Sequence, residues 1–157
     1  METAHLGITE DHKQNVALAL NTLLADEYVL LTKTRNYHWN VAGPQFIALH
    51  TLYETQYQTL AAGVDEVAER IRALGHYAEA RLADFLKLTN LLEPTYTNDA
   101  PTQLRQLIDD HETVIKELRT LADRFADEWK DAGTSDLVTG LLRQHEKMAW
   151  MLRASLS

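Results

Sequence analysis

The apolar residues of this chain recur at steps of three and four positions, and no stretch shows the strict alternation of a half-buried strand. The longest apolar stripe predicts a helix over residues 45–74. Similar stripes predict a first helix that starts after Thr9 and ends near Trp39, and a third that starts at Asp99-Ala-Pro101. A fourth helix follows near the C-terminus. The pattern therefore predicts an all-α chain.

Glycine and proline mark the breaks between these helices. Gly43-Pro44 separates the first two helices, and residues 75–100 form a long connector in which "HYAEARLADFLKL" predicts a short amphipathic helix. The stretch 133–136, "GTSD", predicts the end of the third helix and the start of the fourth. Four long helices with a crossover between the second and third form a ferritin-like four-helix bundle. We expect a single domain over residues 1–157, with residues 1–8 as a short flexible tail.

Composition narrows the classes of protein that fit this fold. The chain has 157 residues, a formal net charge of −8 and no cysteine, which excludes disulfides and thiolate metal sites. No apolar run approaches the ~18 residues of a membrane span, and the N-terminus lacks the features of a secretory signal. We therefore expect a cytoplasmic protein with no membrane partner.

Polar side chains of the second helix form two pairs beside its apolar stripe. His50 and Glu54 are four residues apart, as are Asp65 and Glu69, so each pair shares one face. Both pairs lie on the same side of the helix, but Glu54 and Asp65 are about 16 Å apart along its axis. No lysine or arginine occurs between Gln45 and Glu69, whereas a solvated face normally mixes both signs of charge. One metal ion cannot be reached by both pairs of one straight helix.

The spacing indicates where the missing ligands lie. The midpoint of positions 50 and 69 coincides with the midpoint of positions 54 and 65, at Thr59-Leu60. If two copies of this helix cross antiparallel about a two-fold axis at that point, the first pair of one subunit faces the second pair of the other. Such an isologous contact creates two identical sites at once. The sequence therefore predicts that the second half of the site lies on another subunit.

A further histidine completes the predicted site. His38 ends the first helix, and the tight turn over residues 40–44 brings it toward the second helix. Two imidazoles with three carboxylates suit iron(II) or manganese better than zinc, which favours nitrogen and sulfur. On spacing alone, the alternative is a solvated helix face with packed histidines and no metal. The predicted ligands are His38, His50, Glu54, Asp65 and Glu69.

The segment "NYHWNVAGPQFIALHTLYETQYQTLAAGVDEVAERIRALG" resembles the signature of the Dps family, the mini-ferritins, and the resemblance extends over the whole chain, including "KMAWML". It implies a ferritin-like subunit that assembles into a hollow dodecamer. It also implies a ferroxidase site for two irons between two-fold-related subunits, formed by the same five ligands. Trp39 matches a tryptophan that lines this site in many members. Glu54 stands where many members carry aspartate, and its additional methylene changes the reach of this ligand to the second iron.

The resemblance also implies a function. Mini-ferritins oxidise iron(II), preferably with hydrogen peroxide, and store ferric iron inside the shell, which protects the cell from oxidative damage. Zinc and manganese are the expected substitutes for iron. The alternative function is that of a nucleoid-associated protein that condenses DNA and binds iron only secondarily. Because the N-terminus through Val16 holds Lys13 as its only lysine against three acidic residues, its charge disfavours DNA binding.

Acidic residues near the start of the fourth helix suggest a route for iron into the shell. A three-fold assembly would multiply each aspartate into a ring, and the resemblance places pores near this position. A solvated helix face is the alternative explanation. The candidate pore residues are Asp127, Asp131 and Asp136.

Two other histidines occupy apolar stripes. We expect His111 and His145 to be buried and hydrogen-bonded rather than to bind metal. A di-iron site within one ferritin-like bundle uses Glu-x-x-His pairs. The only such pair in this sequence is Glu2 with His5, near the terminus, so no intrachain di-iron site is predicted. The roles of His5 and His12 stay open.

Overall fold

The computed structural model describes residues 2–157, and Met1, which belongs to the predicted tail, lies outside the described residues. In this part of the chain the fold is all-helical, as predicted, and its only β feature is an isolated bridge between Ala42 and Asp99. The helices are α1 (Glu10–Asn40), α2 (Phe46–Ala73), α3 (Leu82–Leu88), α4 (Ala100–Asp123) and α5 (Ala132–Leu156).

Side-chain caps explain where two of the long helices begin. The Thr9 hydroxyl accepts a hydrogen bond from the backbone amide of His12 at 3.2 Å. The Asp99 carboxylate accepts one from the amide of Thr102 at 3.0 Å. Each cap satisfies an amide that has no partner within the helix, which confirms the predicted starts of the first and third helices.

The break before the last helix lies earlier than predicted. A π-helical turn, Arg124–Glu128, follows α4, and α5 begins at Ala132 rather than after the glycine. Lys130 adopts a left-handed conformation with φ of 56°, a role that more often falls to glycine. Asp131 then caps α5, so Gly133 lies inside its first turn. The prediction that Gly133 ends one helix was wrong. The helical path is already broken at Lys130, and Asp131 begins the next helix.

The helices pack as two antiparallel hairpins joined by a crossover. α1 packs on α2, and α4 packs on α5. The crossover over residues 74–99 carries α3, which is held on α1 by stacking of Phe85 on Tyr28 with ring centroids 4.4 Å apart. This confirms the four-helix bundle with a short extra helix in its connector. No helix within residues 2–157 is long and apolar enough to cross a membrane.

Candidate metal centre

His38 and His50 form a reciprocal pair at the α1–α2 turn. The Nδ1 atom of each ring lies 2.7 Å from the backbone carbonyl oxygen of the other residue. The two rings stack with centroids 3.8 Å apart and an interplanar angle of 13°. Because a carbonyl can only accept, each Nδ1 carries the proton and each neutral ring keeps its lone pair on Nε2. Both rings are thus fixed in a tautomer that can bind a metal ion.

Aromatic side chains enclose this histidine pair. Phe46 stacks on His50 with ring centroids 5.1 Å apart, and Tyr57 packs edge-on against His38 at 5.3 Å. The Arg35 guanidinium lies 4.9 Å from the Tyr57 ring centre. Both aromatic residues continue the apolar stripe of α2, so the sequence pattern gave no sign that they contact ligands. They restrict the imidazoles to a narrow range of orientations.

The three predicted carboxylate ligands lie along the outer side of α2. Glu54 is half-buried one turn after His50, whereas Asp65 and Glu69 are exposed. Within residues 2–157 none of the three forms a hydrogen bond or an ion pair. In the same part of the chain no three histidine or acidic side chains converge closely enough to hold a metal ion. One chain therefore presents the five predicted ligands in two separate groups.

Small side chains lie between the two groups of ligands. Ala61 is half-buried and Ala62 is exposed, so two short side chains lie near the centre of the outer side of α2. On the inner side, a Cβ added to Gly63 would lie 3.3 Å from Leu141, which shows how closely α2 packs on α5. Ala61 and Ala62 thus keep the side chains short at this point of the outer face, which allows another helix to approach there.

Trp39 lies beside the histidine pair in sequence but not in contact with it. Its side chain is 69% exposed. It lines a cavity of about 440 Å³ between α1 and the crossover, together with Asn36 and Tyr96. The predicted role of Trp39 in lining the metal site therefore depends on surfaces outside a single chain.

The three candidate pore aspartates differ in environment. Asp127, in the π-helical turn, and Asp136, in α5, are exposed. Asp131 is only 2% exposed, and its carboxylate binds the Thr134 amide at 2.9 Å and Arg70 at 2.9 Å. Within the chain, Asp131 is thus engaged in structure while the other two carboxylates face outward.

His111 and His145 are buried and hydrogen-bonded, as predicted. Their Nδ1 atoms lie 2.8 Å apart, and His145 Nε2 donates to a carboxylate oxygen of Glu27 at 2.6 Å. Burial and the neighbouring His145 lower the pKa of His111 well below its usual range. The Nε2 atom of His111 is buried and has no hydrogen-bond partner in the described part of the chain.

Two buried carboxyl groups and a half-buried one near this pair were not predicted. Glu27 and Asp26 on α1 are at most 1% exposed, and Asp26 accepts hydrogen bonds from Thr89 and from the backbone amide of Asn90. Burial, and then the neighbouring carboxylates of Asp26 and Glu27, raises the pKa of Glu117 to about 8. The signal was present, because "TLLADEYVLL" places two acidic residues inside an apolar run.

The N-terminal segment is tied to the bundle through its only lysine. Lys13 is 2% exposed, and its ammonium group donates to the Ala4 carbonyl at 2.5 Å. The same group pairs with Glu10 at 2.8 Å. The positive charge at this end of the chain is therefore sequestered.

The chain is similar to ferritin-like proteins along most of its length. Residues 17–157 match the family described as the ferritin-like domain. An uncharacterized low temperature-induced protein of Nostoc sp. is 44% identical over 157 residues, which cover 98% of this chain and 87% of that protein. DNA protection during starvation protein 2 of Bacillus anthracis is 38% identical, over 92% of this chain and 98% of that protein.

Solved structures show the same similarity. A Dps protein of Vibrio cholerae, described as a member of a broad superfamily of ferritin-like diiron-carboxylate proteins, superposes with a TM-score of 0.92 at 34% identity. The superposition covers 100% of this chain and 99% of that one. DpsC from Streptomyces coelicolor superposes with a TM-score of 0.96 at 29% identity, over 99% of this chain and 91% of that one.

Proposed function

Because this chain belongs to the Dps family of ferritin-like proteins, we propose that it is a ferroxidase that oxidises iron(II) between subunits and stores ferric iron in a shell. The observation that carries the proposal is the division of the ligands. A preorganised histidine pair lies near the start of α2, and two carboxylates without partners, Asp65 and Glu69, lie toward its end.

Two-fold symmetry would complete the site. When α2 crosses its copy antiparallel at Thr59-Leu60, the histidine pair and Glu54 face the partner subunit's Asp65 and Glu69. The small residues at the centre of α2 allow the close approach that such a crossing needs. Each dimer then holds two identical sites for two irons each, and neither site exists in a monomer.

The chemistry of the donors fits iron as the substrate. Neutral imidazoles and hard carboxylates bind iron(II) and manganese, with zinc as a competitor, and the chain has no cysteine to select softer metals. Carboxylates also suit iron(III), so the product charge is stabilised where it forms. Each iron(II) gives up one electron. Hydrogen peroxide accepts two electrons and, with two protons, becomes two molecules of water, so a pair of irons reduces it without releasing hydroxyl radical.

The remaining features describe the assembly around these sites. We propose a hollow dodecamer of two-fold dimers, each subunit contributing one domain over residues 1–157. Exposed Asp127 and Asp136 would line iron-entry pores, while Asp131, which lies between them in sequence, caps the start of α5. Trp39 would line the metal site only once a neighbouring subunit covers its exposed side chain. We place the protein in the cytoplasm.

The names of several relatives refer to DNA protection, which raises the alternative of direct DNA binding. The sequestered Lys13 and the net charge of −8 oppose it, because a DNA-binding surface must neutralise phosphates. We propose that protection results from removal of iron(II) and peroxide. A gel shift at low salt tests this: a salt-sensitive shift at micromolar protein would favour the nucleoid function.

The ferroxidase proposal is tested with aerobic iron loading of His50→Ala, Asp65→Ala and Glu66→Ala. The first two variants remove ligands from opposite groups, whereas Glu66 is an exposed acid beside Asp65 outside the proposed set. We expect a loss of initial rate of at least about 100-fold for the first two and little change for the third. Rates that do not separate the ligand variants from the control would contradict the proposal.

A further inference from the structure

Arg70 follows the predicted ligand Glu69 and connects the end of α2 to the start of α5. Its side chain is 28% exposed. Its Nε donates to the Thr134 hydroxyl at 2.8 Å, and its Nη2 donates to the Asp131 carboxylate at 2.9 Å. Neither Thr134 nor Asp131 is a proposed ferroxidase ligand. Both contacts fix the end of α2 that carries Asp65 and Glu69.

The two partners of Arg70 also bind each other. The Thr134 hydroxyl donates to the second carboxylate oxygen of Asp131 at 2.6 Å, and the Thr134 amide donates to the first at 2.9 Å. Thr134 and Asp131 are at most 2% exposed. The three side chains therefore close a ring of hydrogen bonds in which a charged, planar guanidinium makes two directed contacts, a geometry that lysine cannot reproduce.

The ring is closely packed against the backbone of α5. A Cβ added to Gly133 would lie 3.1 Å from Nη2 of Arg70, so the guanidinium rests on the first turn of that helix. Asp65 and Glu69 are four residues apart and lie on one side of α2. A small rotation of this end of the helix about its axis would therefore turn both away from a partner subunit. The Arg70 ring opposes such a rotation.

We infer that Arg70 is a positioning residue which, through Asp131 and Thr134, holds Asp65 and Glu69 in register for the site of the partner subunit. This inference rests on the proposed function. It also gives Asp131 a role different from that of a pore ligand. The effect acts across the dimer, because Arg70 leaves the histidine pair of its own subunit untouched and serves the pair of its neighbour.

The first test compares variants of the ring. We expect Arg70→Gln and Thr134→Val to lower the rate of iron oxidation by about 10- to 100-fold, as loss of a residue that orients a ligand does. Thr134→Ser keeps the hydroxyl and is expected to retain nearly the full rate, and Arg70→Lys is expected to fall between. The double variant of Arg70→Gln and Asp131→Asn is expected to be no slower than the slower single variant, because both break one ring.

The decisive test is complementation between subunits. His50→Ala subunits keep an intact carboxylate group, and Arg70→Gln subunits keep an intact histidine pair. Shells of either variant alone are expected to be slow. Co-assembled one to one, about a quarter of all sites combine two intact halves, so about a quarter of the wild-type rate is expected to return. A purely structural defect in Arg70→Gln would not be cured by this partner.

A second mixture separates this inference from the proposed function. His50→Ala co-assembled with Asp65→Ala tests only whether the site is shared. If that mixture recovers activity and the mixture with Arg70→Gln does not, the role of Arg70 is overturned while the ferroxidase assignment stands. If neither mixture recovers, the shared site itself is wrong. If Arg70→Gln and Thr134→Val shells alone keep the wild-type rate, Arg70 has no positioning role.

Discussion

The fold brings together two pairs of histidines that differ in what they can do. At the α1–α2 turn, each Nδ1 of His38 and His50 binds a backbone carbonyl, which leaves both Nε2 lone pairs available. In the core, the Nδ1 atoms of His111 and His145 bind each other, and Glu27 takes the remaining nitrogen of His145. The first pair has two nitrogens without a hydrogen-bond partner in the described part of the chain, whereas the second has only one.

This difference shows that burial and proximity do not make a histidine pair a metal site. What matters is which nitrogen is left free and whether a metal ion can reach it. The core pair uses three of its four nitrogens, and the fourth, His111 Nε2, is enclosed. The turn pair uses only two, which leaves both Nε2 atoms with a lone pair that can bind a metal ion. We therefore assign the core network to stability and, under the proposed function, the turn pair to metal binding.

The largest effect that distinguishes the two regions concerns stability. Glu27→Ala leaves the His145 Nε2–H buried without an acceptor and leaves a cavity in the core, and we expect the free energy of unfolding to fall by about 3–5 kcal/mol. His38→Ala removes one part-buried hydrogen bond and the stacking on His50, and we expect a smaller loss of about 1–2 kcal/mol. Urea unfolding at one fixed subunit concentration measures both.

Glu27→Gln is the matched control, because its amide oxygen can still accept from His145. We expect it to recover most of the lost stability. Equal losses for Glu27→Ala and His38→Ala would show that the core network is not specially stabilising.

The next effect is the pH dependence of stability. The lowered pKa of His111 means that the unfolded chain binds a proton below about pH 6.5 that the folded chain does not, so stability falls as the pH drops through that range. The pKa of Glu117, raised to about 8 by burial and by Asp26 and Glu27, acts in the opposite direction. The folded chain keeps this proton between about pH 4.5 and 8, so this contribution falls as the pH rises.

The two contributions nearly cancel between about pH 4.5 and 6.5, so we expect stability to be almost level there and to fall from about pH 6.5 to 8, in urea unfolding between about pH 5 and 9. Glu117→Gln removes the titrating group while keeping its shape, and is expected to flatten the alkaline side and to expose the loss of stability below about pH 6.5 that His111 causes. The same alkaline slope in Glu117→Gln and wild type would show that Glu117 is not the group responsible.

The smallest effect concerns the unusual ligand. Glu54→Asp keeps a carboxylate and removes one methylene, so we expect the rate of iron oxidation to change by less than about 10-fold. Anaerobic iron(II) titration is expected to find two ions per site in both proteins. Glu54→Gln is the control that removes the charge, and an effect of Glu54→Asp as large as that of Glu54→Gln would show that reach, not charge, governs this position.

Local signals predicted most of the fold. Thr9 and Asp99 each cap the helix that the apolar stripes predicted to start there. The position of His38 beside His50 followed from the tight turn between their helices. The break before α5 was misplaced because Lys130 takes a left-handed conformation with no glycine to indicate it.

Contacts between distant helices could not be predicted. Glu27 and His145 are 118 residues apart, and Arg70 and Asp131 are 61 apart, so no spacing rule links either pair. Local periodicity assigns residues to a face, but only packing decides which faces meet. The shared metal site stays a prediction, based on the mirror-like spacing that two-fold symmetry would impose on one helix.

The most direct measurement is a crystal structure of the assembled protein soaked anaerobically in iron(II), with anomalous scattering recorded at the iron edge. We expect paired peaks at each two-fold interface, between the Nε2 atoms of His38 and His50 and the partner subunit's Asp65 and Glu69. We expect none beside His111 and His145. Iron bound in the core pair, or a two-fold interface in which Asp65 and Glu69 point away from the histidines, would contradict this expectation.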